Sequence, residues 1–284
     1  MVRSGFPRRE RDPSSKPGLN QFYFMIRRGL VNLTRYSRQM STIAPERASE
    51  LKANYEAVKA EIERLMPDKS NPPRLVVVSK YKPVEDIKAL YDLGHRHFGE
   101  NYVQELVSKV EALPSDIQWH FIGSLQSNKC KVLAPLKNLY AVETVDSESK
   151  CTKLNNARAE EDSKLNVYIQ INTSGEGQKS GISSVEEVVT IARHIKDNCP
   201  KLNLEGLMTI GSLASSTSGG EENEDFKKLI EYKKEVDSAI GADLGLSMGM
   251  SNDYAQAIKQ GSTNVRVGSA IFGARKTKEE MKQQ

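Results

Sequence analysis

The feature that most constrains this chain is a repeat. Short runs rich in β-branched and aromatic residues return about every 27 residues, close to the ~30-residue length of one strand–helix unit. The runs are Leu75–Ser79, His97–Gly99, Trp119–Gly123, Leu139–Thr144, Val167–Asn172, Leu204–Ile210, Leu244–Met248 and Asn264–Gly268. Between them lie segments with apolar residues at helical spacing, among them Val84–Leu93, Asn101–Leu113, Ser183–Asp197 and Asp225–Ile240. Strands that alternate with helices pair in parallel. Eight such units in about 240 residues predict an α/β fold, a single-domain (β/α)8 TIM barrel over 45–284. An open doubly wound sheet is the competing architecture. Its GxGxxG fingerprint would follow the first strand, but here that strand runs into Lys80-Tyr81-Lys82-Pro83.

An extra helix precedes the repeat. Pro45 suits a first helical position, and Leu51, Tyr55, Val58, Ile62 and Leu65 form one helical stripe before Pro67 breaks it. The stretch 215–224 (SSTSGGEENE) reads as a flexible loop inside the domain.

Charge divides the chain unevenly. Residues 1–44 hold nine basic and two acidic groups, whereas the other 240 hold 32 basic and 35 acidic ones. No acid occurs between Pro13 and Pro45, and Arg27, Arg28, Arg35 and Arg38 alternate with apolar residues. That composition suits either a mitochondrial presequence or a basic arm. The expected location is therefore the cytoplasm, the mitochondrion or both. The remainder is mildly acidic, which argues against nucleic acid as a partner. No apolar run approaches the ~20 residues of a membrane span. Cys130, Cys151 and Cys199 are odd in number and widely spaced, which fits a reducing compartment and argues against a disulfide framework or a zinc site.

Barrel chemistry sits at the C-terminal ends of the strands, so sequence position yields candidates. Lys80 follows an apolar strand, where desolvation can make an amine nucleophilic; it is either that or a solvated strand-end lysine, with Lys82 as its neighbour and competitor. The loops after strands seven and eight are common phosphate sites. They hold Ser247, Ser251, Gly268 and Ser269. Arg266 has the parity of Gly268 and so faces inward, as a donor to a ligand or in an ion pair with an acid such as Glu143. Asn101 is a ligand donor or a helix cap. His120 reads as a satisfied core residue more readily than as a catalyst. Asn172 also sits at a strand end, and Met208 reads as packing.

Taken together, V-V-S-K, F-G-E-N-Y-V-Q-E, W-H-F-I-G-x-L-Q-x-N-K, Q-I-N-T-S, G-L-M-T-I-G, L-S-M-G-M-S and V-R-x-G-x-x-I-F-G resemble the pyridoxal 5′-phosphate homeostasis proteins, relatives of the barrel half of alanine racemase. The resemblance covers roughly 45–275 and leaves residues 1–44 outside. It implies that Lys80 holds pyridoxal 5′-phosphate (PLP) as a Schiff base and that Arg266 faces the pyridine nitrogen. Gly268 and Ser269 match the phosphate turn. Ser247 and Ser251 match the two serines of L-S-M-G-M-S, Ser251 being the better phosphate ligand because it opens the next helix. Asn101, Asn172 and Met208 match pocket-lining positions. Many PLP enzymes set a carboxylate at the ring nitrogen to keep it protonated, whereas an arginine can only donate. The racemase's tyrosine base belongs to a C-terminal domain outside the span of the resemblance, so no such base is expected. The resemblance therefore implies a PLP carrier acting in vitamin B6 and amino-acid balance without turnover; a weak PLP-dependent racemase is the alternative. It further implies apo PLP-enzymes as recipients and a monomeric state.

Overall fold

The computed structural model describes residues 43–66, 70–176, 180–217 and 222–274. The basic segment read as a presequence lies outside the described residues except for its last two positions. Eight parallel strands close into a barrel in sequence order. They are β1 (Arg74–Val78), β2 (His97–Glu100), β3 (Gln118–Phe121), β4 (Leu139–Val145), β5 (Leu165–Gln170), β6 (Leu202–Met208), β7 (Gly245–Ser247) and β8 (Asn264–Val267). The chain is thus an α/β barrel with the predicted order. Strand bounds shift by one or two residues from the sequence reading, because the apolar runs continue into buried strand-end turns.

The helices are α1 (Pro45–Leu65), α2 (Val84–Asp92), α3 (Val103–Ala112), α4 (Cys130–Leu133), α5 (Glu148–Ala157), α6 (Val185–Asn198), α7 (Leu213–Thr217), α8 (Glu224–Ile240), α9 (Tyr254–Lys259) and α10 (Ser269–Phe272). Of the expected flexible loop at 215–224, residues 218–221 lie outside the described residues; its start is helical, as the end of α7, and Asn223 caps α8 through its side-chain oxygen. Polar, small residues favour caps and short turns as readily as open loop.

Helix α1 buries Leu51, Tyr55, Val58 and Ile62, each worth on the order of 2 kcal/mol of apolar burial. It packs on α2, α9 and α10, across the seam where the first and last strands meet. Polar contacts fix its register. Arg47 donates to Asp86 Oδ2 at 2.7 Å and to the Phe272 carbonyl at 3.0 Å, and Asn54 donates to the Ile271 carbonyl at 3.0 Å.

The same helix reaches a buried imidazole. Tyr55 donates to His95 Nδ1 at 3.2 Å, while His95 Nε2 donates to the His97 carbonyl at 2.7 Å. Burial holds the His95 pKa down to about 4, so the ring stays neutral. An unfolded histidine titrates near 6.5. The unfolded chain therefore binds the extra proton first, and this contribution to stability is complete above pH ~6.5 and lost as pH falls toward 4. Urea unfolding should show about 2 kcal/mol less stability at pH 5 than at pH 7.5 from His95 alone. His97, lowered by burial to about 2, adds in the same direction. A flat profile over that range would contradict the buried neutral rings.

The large apolar core lies between strands and helices, and the barrel interior is different. Facing inward are Arg74, His97, His120, Tyr140, Glu143, Tyr168, Ser247, Asn264 and Arg266, joined by hydrogen bonds. Barrel interiors are more often layers of branched apolar residues.

Candidate functional site

The site begins where β1 ends. Val78 passes into Ser79 and a tight turn, in which the Lys82 amide donates to the Ser79 carbonyl at 3.0 Å. Tyr81 in this turn has φ +62°, a conformation that costs a non-glycine residue about 1–2 kcal/mol. Two contacts hold it. The Tyr81 amide donates to Glu105 Oε1 at 2.7 Å, and the tyrosine hydroxyl donates to that of Tyr102. Beneath lies a buried ammonium: Lys109 Nζ donates to the Ser79 carbonyl (2.8 Å), Glu100 Oε1 (2.7 Å) and Glu105 Oε1 (2.6 Å). Burial pushes the Glu100 carboxyl up, against the pull of Lys109 and of the Ser79 hydroxyl. This knot fixes the backbone on both sides of Lys80. The sequence reading missed it. Its signal was a lysine on the buried stripe Val103, Leu106, Lys109 of α3, four residues after Glu105.

Lys80 opens into a cleft of about 570 Å³ at the C-terminal mouth of the barrel. The cleft brings together seven of the nine residues singled out in the sequence: Lys80, Asn101, Met208, Ser251, Arg266, Gly268 and Ser269. Lys82 lines it as well. Met208 does double duty, because it also packs on Ala141 and Tyr168 inside the barrel. Two expected residues are elsewhere. Asn172 lines a neighbouring pocket of about 260 Å³; its Oδ1 accepts from the Gly175 amide and its Nδ2 donates to the Glu176 carbonyl. Ser247 is fully buried below the cleft, so it is not placed to touch a ligand there. Its hydroxyl donates to Glu143 Oε2 at 2.6 Å and accepts from Asn264 and Arg266. The β-strand alternation puts Ser247 inside the barrel, whereas Ser251 lies in the loop beyond it.

Arg266 is 3% exposed and sits at the floor of the cleft. It donates to Ser247 Oγ and to the Thr209 carbonyl at 2.7 Å, with Glu143 at 3.9 Å. The ion-pair reading is thus partly met, because the pairing with Glu143 runs mainly through Ser247. Below it, His120 Nδ1 donates to Glu143 Oε1 at 2.6 Å, and His97 lies 3.0 Å beyond. Burial opposes the charge on Glu143, but the bonds from His120 and Ser247 and the charge of Arg266 outweigh it, holding the carboxyl below its ordinary range. Burial lowers the Arg266 pKa. A guanidinium remains a donor under those conditions, so the cleft floor presents a fixed cation and no carboxylate.

At the opposite wall the chain offers backbone donors. The amides of Gly268 and Ala270 converge on Ser251 Oγ at 3.1 and 3.3 Å. A side chain at Gly268 would meet Val78 at 3.2 Å, so glycine keeps β1 and β8 close at this point. Asp253 also lines the cleft, but its oxygens accept from the Met250 amide (2.6 Å) and from Ser216. Asn101 does not cap α3. Its carbonyl comes so near Gly123 that a Cβ there would lie 1.9 Å from it. Among the described residues no cluster of His, Cys, Asp and Glu could hold a metal, and no helix is long and apolar enough to cross a membrane.

Comparison with known proteins gives consistent matches. The family model described as alanine racemase, N-terminal domain, matches residues 48–276. The pyridoxal phosphate homeostasis protein of Schizosaccharomyces pombe is 51% identical over 203 residues, covering 72% of this chain and 84% of that protein. Among solved structures, a protein of Bifidobacterium adolescentis superposes with TM-score 0.71 and 30% identity, covering 82% of this chain and 98% of that one. PipY of Synechococcus elongatus, solved with PLP bound, has TM-score 0.65 and 26% identity, covering 78% of this chain and 100% of that chain.

Proposed function

The chain belongs to the pyridoxal phosphate homeostasis protein family, and from that premise we propose that it binds PLP covalently through Lys80 and serves as a carrier without turnover. The observation that supports this most is the convergence on one cleft of Lys80, a buried arginine and the amides around Ser251. The residues fit the group. Lys80 supplies the amine, on a turn pinned by Lys109 and Glu105. The hydroxyls of Ser251 and Ser269 offer donors for a phosphate, and the amides of Gly268 and Ala270 hold Ser251 Oγ in place at that end of the cleft. Arg266 supplies a donor for the ring nitrogen, and Asn101 and Met208 line the walls between. PLP, when bound, supplies an aldehyde that condenses with amines and a ring that withdraws electrons when its nitrogen is protonated.

The protein's own groups argue against strong turnover. Arg266 keeps its proton and cannot stabilise a protonated ring nitrogen as a carboxylate would. Glu143 is held away by Ser247 and sits 3.9 Å behind the guanidinium. Such a site holds and releases an aldehyde better than it stabilises a carbanion. Recipients would be apo-enzymes that use PLP, and the protein would work as a monomer in the cytoplasm or the mitochondrion.

The test is amino-acid racemisation by the purified protein, with Lys80→Ala as the control. No turnover above free PLP is expected; Lys80-dependent turnover well above it would favour the racemase reading instead. A second expectation concerns the ring. Arg266→Ala should weaken PLP binding at least tenfold and shift its absorption maximum, read by titration and spectroscopy. An unchanged spectrum and affinity would confine Arg266 to the barrel's internal network.

A further inference from the structure

Next to the Lys80 cleft lies the pocket of about 260 Å³ over the ends of β3 to β6. The two share Asn101, Ile122, Ile210 and Gly211, so they are adjoining chambers of one mouth. The volume takes several heavy atoms, since a water molecule occupies about 30 Å³ of liquid. No charged side chain occurs among the described residues that line it.

Two amides in this chamber lack partners. Gln170 is 3% exposed and lines the pocket, yet its side chain makes no hydrogen bond among the described residues. Asn101 Oδ1 is buried and also unpartnered. A buried amide oxygen without a partner, as at Asn101, costs about 1–3 kcal/mol, and few such groups occur in a folded protein. Thr144 donates to the Gly123 carbonyl at 2.6 Å and Thr173 pairs with Thr209 at 2.9 Å, so these hydroxyls are already engaged; the exposed Ser124 and Ser180 also line the chamber. The unmet demand is therefore specific. Asn101 Oδ1 needs a donor, and Gln170 needs a donor and an acceptor together.

We propose that this chamber is a binding subsite for a primary carboxamide, such as the side chain of a small amide amino acid. The carboxamide N–H groups meet Asn101 Oδ1 and Gln170 Oε1, and its carbonyl accepts from Gln170 Nε2. A carboxylate of the same shape brings no donor to Asn101 Oδ1 and finds no cation among the described lining residues, so it is disfavoured. Asn101 borders both chambers, but the subsite's contacts use neither Lys80 nor Arg266 nor Ser251, so its test is separate from that of the cofactor reading.

The experiment is calorimetric titration of the full-length, cofactor-free protein with L-asparagine and, in parallel, L-aspartate. Asparagine should bind at least tenfold more tightly. Gln170→Met should remove that preference while PLP titration of the same variant stays as in the wild type. Gln170→Glu, which keeps the shape, should weaken asparagine binding at least tenfold as well. Equal affinity for the two ligands, or variants that bind asparagine like the wild type, would overturn the subsite. Loss of asparagine binding on PLP addition in proportion to cleft occupancy would also overturn it, by placing the ligand in the cleft. A protein that binds asparagine but never PLP would overturn the carrier reading and leave the subsite standing.

Discussion

Lys80→Ala should abolish covalent attachment of PLP and leave only weak binding through the phosphate end of the cleft. In the wild type, a long-wavelength absorption band should appear on adding PLP and vanish on borohydride treatment, with the pyridoxyl label mapping to the Lys80 peptide. In the variant the band should be absent and the labelled peptide missing, an all-or-none change. Weak binding should persist because Ser251, held by the Gly268 and Ala270 amides, does not depend on Lys80. A label on Lys82 in the wild type would refute the assignment, since Lys82 lines the same cleft. Lys82 donates toward the Phe272 carbonyl at 3.5 Å and sits over the Phe272 ring, so it is held against α10.

Lys109→Met should cost about 3–5 kcal/mol of folding stability, the usual penalty for removing one partner of a buried ion pair. Lys109 is 5% exposed and Glu100 fully buried, so the carboxylate left behind cannot be rescued by solvent. Methionine fills a similar volume, which keeps cavity formation out of the result. The penalty carries a pH signature. Burial already raises the Glu100 carboxyl, and without Lys109 it rises further. A group with a raised folded pKa binds its proton more readily in the folded state, so the deficit should shrink as pH falls through that pKa toward the unfolded value near 4.5. Denaturant unfolding of the variant and the wild type at pH 8 and pH 6 tests this. A deficit that grows on acidification, or none at all, would show that Lys109 does not neutralise Glu100. The same variant should bind PLP less tightly, because the Ser79 carbonyl and the strained Tyr81 turn lose their anchor.

These two residues show where the sequence was readable. Position marked Lys80 as a candidate, because an apolar strand ends there and barrels put chemistry at such ends; the role proposed for it came from the family resemblance. Lys109 was invisible to that rule because it comes from a helix and reaches back under the strand end. Ser247 and Ser251 make the same point four residues apart. Both are serines in one glycine-bearing loop motif, but strand alternation sends Ser247 into the barrel, where it links Glu143 to Arg266, while Ser251 reaches the cleft. Asn172 and Asn101 are both strand-end amides. Asn101 borders the cleft and the adjoining chamber, and Asn172 only the chamber.

The sequence by itself determined the architecture. A strand–helix pitch of about 27 residues, repeated eight times, predicts a closed parallel barrel ahead of the open doubly wound sheet. Closure sets β1 beside β8, with Val76 opposite Arg266, and so brings Lys80 to one mouth with Arg266 and Gly268, which lie far from it in the chain. Local periodicity carries that information because it reports only which face each residue takes. Tertiary structure alone decided what fills the barrel. The chain of His97, His120, Glu143, Ser247 and Arg266 joins β2, β3, β4, β7 and β8. Its existence depends on interatomic distances across the barrel axis, which no spacing along the sequence encodes. The same holds for the unpartnered Gln170 and Asn101 amides. A hydrogen bond is satisfied or missing by tenths of an ångström, and only the folded molecule fixes that.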